Sequence, residues 1–419
     1  MIRHLNQVLN WMPALSAFVL PLHPRWSAWT LIIWALAWLA HRLVRPSSSK
    51  QIVHSFNHEF RWMVGGAWLY YAALVAGMFW TNDLETGWFS LEEKFSLFIV
   101  PFLMLYQVKW MPGMWRTRAL LAFQAGLMIF MLSRFGYAIW KGEAEYWRYD
   151  GLAGPFHPTY FAMYLSLLPI LWDGRKTMGL VLFGMGALFI GLLASKAGWF
   201  IASGMILWEG IRSFNSRFKR YGLATGLLLL LLGAGFSNQG RFEEFKDYLA
   251  DNWSERSVLI DKDVQGVLSS DDAQLGVAAP ASETISIAVG STAGRLQAWE
   301  ASMEIWMKNP FGVGTGDVIP TLCEIYERDS SAYALKKKMN PHSVWLQAAV
   351  GMGWLGFLCL VIWWFGGLLS AIKFRNRLLI SWIVIWILNG SLESLLELQQ
   401  GVVATMLIAL ILAAKSDPT

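Results

Sequence analysis

A histidine follows a proline in Asn340-Pro341-His342-Ser343, where a long apolar run begins. Proline cannot continue a helix backward, so His342 and Ser343 fall at a helix start. A neutral imidazole is suited to take a proton from a hydroxyl; the plainer reading is a histidine that only caps or packs. Arg295 leads an amphipathic segment, and its guanidinium matches phosphate oxygens bidentately. A headgroup anchor or a solvated charge is the plainer reading there. Lys196 lies in Leu193-Ala194-Ser195-Lys196-Ala197-Gly198-Trp199, an almost loopless reversal between two apolar runs. A cation there is costly unless it is used or snorkels to the interface. Arg134, within a turn or two of a membrane boundary, is a weaker case of the same kind.

Gly154-Pro155-Phe156-His157-Pro158-Thr159-Tyr160 opens another helix, with Pro158 at its first position. His157 and Tyr160 either line a cavity there or cap and pack. Glu393 and Glu397, one helical turn apart, either orient a cation or histidine or form a polar turn. Asp83, Glu85, Glu92 and Glu93 lack metal-ligand spacing and read as a solvated face. Cations around a histidine base, with no metal cluster, suit attack by a hydroxyl on a carbon whose leaving group is a phosphate. The cations would stabilise charge growing on that group. A lipid-linked sugar diphosphate is such a substrate.

The elements that must position these residues are membrane helices. Of the 419 residues 55% are hydrophobic and only 15% charged, with 25 Trp and 25 Phe, far above soluble usage. The apolar runs are continuous, where barrel strands would alternate. The fold class is therefore an all-α polytopic membrane protein of about twelve transmembrane helices. The expected spans are approximately 7–22, 26–41, 62–80, 95–108, 119–140, 158–172, 177–194, 197–212, 221–236, 343–370, 378–392 and 400–414. Met1 to Leu22 reads as a short first helix with no cleavable signal.

Basic residues fall in every second loop: Arg42, Arg45, Lys50 and Arg61; Lys109, Arg116 and Arg118; Arg175 and Lys176; Arg212, Arg217, Lys219 and Arg220; Lys373, Arg375 and Arg377. The other short loops carry only scattered cations, among them Arg25, Lys94, Lys141 and Arg148. By the positive-inside rule both termini are cytoplasmic and every candidate above lies on the outer side. The net charge of +5 thus reports orientation rather than nucleic-acid binding.

Three regions follow: helices 1–9 over residues 1–236, a large outer loop over 237–341, and helices 10–12 with a short tail over 342–419. The loop is acidic in its first third, irregular over 266–292, and helical from Gly294, with Leu296, Trp299, Met303 and Trp306 on one stripe. Tryptophans along one face suit a helix lying in the membrane interface. That helix is expected to stop at Asn309-Pro310, before the glycine-rich turn of Gly312, Gly314 and Gly316. Cys323 and Cys359 form no disulfide framework, and no CxxC motif suggests zinc or haem, so no cofactor is expected.

The motifs at 154–160, 195–199, Gly294-Arg295-Leu296-Gln297-Ala298-Trp299, 309–316, and 340–347 with 351–356 resemble, in order and spacing, the O-antigen ligase and polymerase superfamily of bacterial envelope glycosyltransferases. The resemblance covers roughly residues 150–400. It implies a GT-C-type enzyme in the bacterial inner membrane, its site facing the periplasm, with an undecaprenyl diphosphate-linked glycan as donor. For a ligase it implies a lipid A–core hydroxyl as acceptor and metal-independent inversion. It implies His342 as general base and Arg295 on the donor diphosphate, with Lys196 where the family usually has arginine. Lysine keeps the charge and loses the bidentate fork. A polymerase and a protein O-oligosaccharyltransferase remain alternatives within the resemblance. A transporter of lipid-linked glycan is a further alternative, against which stand the few mid-span charges. Membrane lipids and these substrates are the only expected partners.

Overall fold

The computed structural model describes residues 2–44, 57–107, 114–172, 177–212, 216–237 and 290–414. The acidic first third of the long loop and its irregular stretch as far as residue 289 lie outside the described residues. So do Arg45, Lys50, Lys109, Arg175 and Lys176.

Helix is the only regular structure among the described residues. The chain begins with α1 (Ile2–Val19), α2 (Pro24–Val44) and α3 (His58–Gly77), then a short α4 (Leu84–Lys94) and α5 (Ser96–Gln107). Next come α6 (Trp115–Lys141), the single turns α7 (Tyr149–Ala153) and α9 (Leu168–Leu171) on either side of α8 (Pro158–Leu165), and α10 (Thr177–Leu192), α11 (Lys196–Arg212) and α12 (Arg217–Ser237). After the long loop stand α13 (Gly290–Lys308), α14 (Val318–Arg328) and α15 (Ala332–Lys336). The chain closes with α16 (Val344–Lys373), α17 (Arg377–Leu392) and α18 (Gln399–Ala413). Each expected span overlaps helix among the described residues, although the one over 7–22 runs past the end of α1 and the one over 158–172 is broken into α8 and α9. Among the described residues four helices are long and apolar enough to cross a membrane: Pro24–Val44, His58–Trp80, Trp115–Lys141 and Val344–Lys373. Large apolar side chains such as Ile139, Phe200, Ile211 and Leu369 point outward from the bundle. Water would oppose that arrangement and a bilayer accommodates it.

At the centre stands α18, buried all round from Gln400 to Ala413. A helix apolar on every face belongs in such a position. Its end is capped by side chains from three other elements. Asn57 and Asn376 donate to the carbonyls of Ala413 and Leu412, and Arg116 donates to those of Ile411 and Leu412. These bonds satisfy carbonyls that a helix terminus otherwise leaves open. They also gather Asn57, Arg116, Asn376 and residue 413 at one end of the bundle. Midway along, Trp386 stacks on Trp364 with centroids 3.8 Å apart and donates to Thr405 Oγ1 at 2.8 Å, joining α16, α17 and α18.

The opposite end carries a small cap with its own core, in which Ala298, Ala301 and Ile305 of α13 meet Val318, Leu322, Tyr326 and Ala334. The packed face of α13 is thus largely small residues, Ala298, Ala301 and Ser302, with Ile305 beside them. Leu296 and Met303 from the tryptophan stripe are exposed. The helix already runs through Gly290 to Ala293, ahead of the expected start at Gly294.

The glycine-rich turn that follows joins the cap to the bundle. Inside α16, Gly353 leaves helical geometry (φ 60°, ψ −145°), which frees backbone groups of the helix. The turn takes their place: Val313 and Gly314 amides donate to the carbonyls of Val350 and Gly351, and Trp354 donates to Pro310, each at 2.9 Å. A Cβ on Gly353 would sit 2.0 Å from the Pro310 carbonyl oxygen, so only glycine fits. Thr315 then bonds the Leu74 carbonyl, and buried Asp317 accepts from the Asn82 and Asp83 amides at 2.7 and 2.8 Å.

Candidate functional site

The site grows from two turns pressed together at the cap end. Ser343 is the extended residue before α16, and His342 ahead of it has φ 45°, a left-handed geometry rare outside glycine. Asn340 holds it there, its Oδ1 accepting from the His342 amide at 2.9 Å. The facing turn runs from Glu393 to Glu397. Ser394 bridges the two, its Oγ accepting from the Ser343 amide at 3.2 Å and donating to Asn340 Oδ1 at 3.3 Å. Tyr160 of α8 donates to the Ser394 carbonyl at 3.0 Å and fixes this turn from the third side.

Between the turns lies a linked chain of charge. Glu393 is 4% exposed. Its Oε1 takes a hydrogen bond from the Arg295 guanidinium at 2.5 Å, and its Oε2 stands 3.1 Å from His342 Nδ1. Burial raises the pKa of such a carboxyl. The His342 bond and the Arg295 charge outweigh that here and hold Glu393 below its ordinary value. An ionised Glu393 accepts only, so His342 Nδ1 carries the hydrogen, and in the neutral ring the lone pair then lies on Nε2. This is the tautomer that a proton acceptor at Nε2 needs.

His157 stands beside the same charges. Its ring meets Tyr160 edge-on at 5.6 Å, and its Nδ1 is buried without a hydrogen-bond partner among the described residues. Burial lowers its pKa against the pull of Glu393 and Asp150, and Arg295 and His342 add to the lowering. Neutral imidazole is the outcome near pH 7.

Lys196 is exposed at the first turn of α11 and makes no ion pair among the described residues. Its neighbour Ser195 bonds Thr159 at 3.2 Å, which places the start of α11 beside the His157 turn. A free ammonium at a helix N-terminus is suited to an anionic ligand. Arg134 faces elsewhere. It donates to the carbonyls of Gly151 and Leu152 and lies over the Tyr137 ring at 4.7 Å, holding the loop that leads to His157. Glu397 turns away from Glu393 and pairs with Lys94. The structure thus brings His342, Arg295, Glu393, His157 and Tyr160 together, sets Lys196 alongside, and leaves Arg134 and Glu397 in supporting positions.

Three features were beyond sequence reasoning. Asp83 caps α4 through Thr86. Glu93 is half-buried, and burial pushes its carboxyl up to about 7 against the pull of Lys94. Ser394 is the bridge between the turns, and a lone serine carries no motif. The glycine-rich turn is not a phosphate cradle, because the amides from Gly312 to Asp317 already bond protein oxygens.

Residues 179–361 match the family model described as O-antigen ligase, a stretch from α10 into α16 that includes Lys196, Arg295 and His342. The match stops short of Glu393 and begins after His157 and Tyr160. No curated protein matches the chain. The match spans 183 of the 419 residues and marks a likeness to that family over this stretch.

Proposed function

We propose, from the likeness of residues 179–361 to the O-antigen ligase family model and from the site geometry, that the chain is a ligase. It moves a glycan from an undecaprenyl diphosphate donor to a sugar hydroxyl of lipid A–core, at the periplasmic face of the bacterial inner membrane. The carrying observation is Glu393, buried between Arg295 and His342 and bonded to both.

His342 Nε2 takes the proton of the acceptor hydroxyl as its oxygen attacks the anomeric carbon of the donor. The bond from that carbon to the diphosphate oxygen breaks, and its electron pair leaves with undecaprenyl diphosphate. The anomeric configuration inverts. Arg295 uses the donors not engaged by Glu393, and Lys196 its ammonium, to stabilise the charge growing on the diphosphate. Glu393 holds the imidazole in the required tautomer and balances the imidazolium that forms.

The test is transfer by purified protein from a synthetic undecaprenyl diphosphate-linked disaccharide to rough lipopolysaccharide in EDTA. Wild type is expected to transfer. A folded His342→Ala variant is expected to lose about 10²-fold or more in rate, the usual worth of a general base. An active His342→Ala rejects the base. Extension of the lipid-linked donor without transfer to lipopolysaccharide makes the enzyme a polymerase.

A further inference from the structure

Lys94, the last residue of α4, is 1% exposed. A buried ammonium is costly unless it is paired and hydrogen-bonded. Its Nζ lies 2.9 Å from Glu397 Oε1 and 2.8 Å from Ser90 Oγ. Glu397 ends the turn that Glu393 begins. That turn is internally tied, with the Leu395 amide on the Glu393 carbonyl at 2.9 Å and the Glu397 amide on the Ser394 carbonyl at 3.0 Å. It is flanked by extended backbone at Glu393 and at Leu398, so it is not a rigid continuation of α17 or α18. Its register depends on side-chain anchors. Tyr160 and Ser343 hold its near part at Ser394. Lys94 holds its far end and ties it to α4.

We propose that Lys94 is a positioning residue, which through Glu397 fixes the 393–397 turn so that Glu393 faces His342 Nδ1. This rests on the reading of His342 as the base. Displacing a catalytic group by about 1 Å costs on the order of 10²-fold in rate. A shift of this turn therefore appears in turnover before it appears in donor binding.

The experiment is a double-mutant cycle in the transfer assay above, with folding followed by thermal melting in detergent. Lys94→Met is expected to lower kcat about tenfold or more with donor KM within about twofold, and Lys94→Arg to recover most of the loss. In a Glu393→Gln background, Lys94→Met is expected to cost nothing further, because Lys94 acts only through that carboxylate. A lysine that merely stabilises the fold would give additive losses instead. If Lys94→Met does not fold, Glu397→Gln breaks the same link without stranding a carboxylate and carries the same expectation. Full turnover in these variants, or additivity with Glu393→Gln, overturns the inference. Loss of activity in His342→Ala with full activity in Lys94→Met overturns this inference alone, whereas an active His342→Ala overturns the underlying reading.

Discussion

At the residue scale, Glu393 engages one partner with each oxygen. Removing its charge while keeping its shape, as in Glu393→Gln, frees the His342 tautomer and leaves Arg295 without its counter-ion. Transfer is expected to fall by about 10²-fold at pH 7, read as kcat in the same assay. A rate within threefold of wild type rejects the role. The same variant gives a pH signature. The Glu393 pKa is depressed from 4.5 in the folded chain, so its contribution to stability is present above pH 4.5 and is lost as pH falls through the lower folded value. The melting-temperature difference between wild type and Glu393→Gln is expected to stay constant from pH 7 to 4.5 and shrink below. Shrinkage already complete at pH 6 rejects the buried-pair assignment.

At the element scale, the join between cap and bundle rests on the break in α16. Gly353 has a positive φ, and the Pro310 carbonyl lies against its Cα, so Gly353→Ala meets both backbone strain and a steric block. The strain alone is about 1–2 kcal/mol. The expected result is a lowered melting temperature and faster proteolysis within residues 290–341, with the apolar helices retained by circular dichroism. A variant with wild-type melting and proteolysis would mean that the turn does not dock at this break. In the proposed mechanism the cap matters because α13 delivers Arg295 to Glu393, and α13 is seated by this turn. Arg134 acts at the same scale, tying α6 to the loop before His157.

At the scale of the whole molecule, the bundle has two chemically different ends. One holds Asn57, Arg116, Asn376 and the close of α18; the other holds the cap, both site turns and the start of α11. The basic loops Arg116–Arg118 and Lys373–Arg377 belong to the first end, which the positive-inside rule puts in the cytoplasm. Single cysteines test this in a background lacking Cys323 and Cys359. A membrane-impermeant maleimide is expected to label Glu143→Cys in spheroplasts, and Arg375→Cys only after permeabilisation. The reverse pattern would put the site in the cytoplasm and remove the periplasmic reading.

Hydropathy by itself determined the helical class, because backbone groups in lipid are satisfied within each apolar run and leave a local signature. Charge asymmetry set the candidate residues on one side, since cations near helix ends are also counted locally. His342 was legible as a helix-start histidine from the proline before it. Only the tertiary structure decided that Glu393 stands between Arg295 and His342, residues 98 and 51 positions away in the chain. It alone turned Glu397 toward Lys94 and set the Val313 and Gly314 amides on a broken helix. Such pairings depend on which helix ends meet, and no residue type or short spacing encodes that. Lys94 shows the limit most clearly: in the sequence it is a scattered cation in a short loop, and in the fold it is a buried charge behind the site.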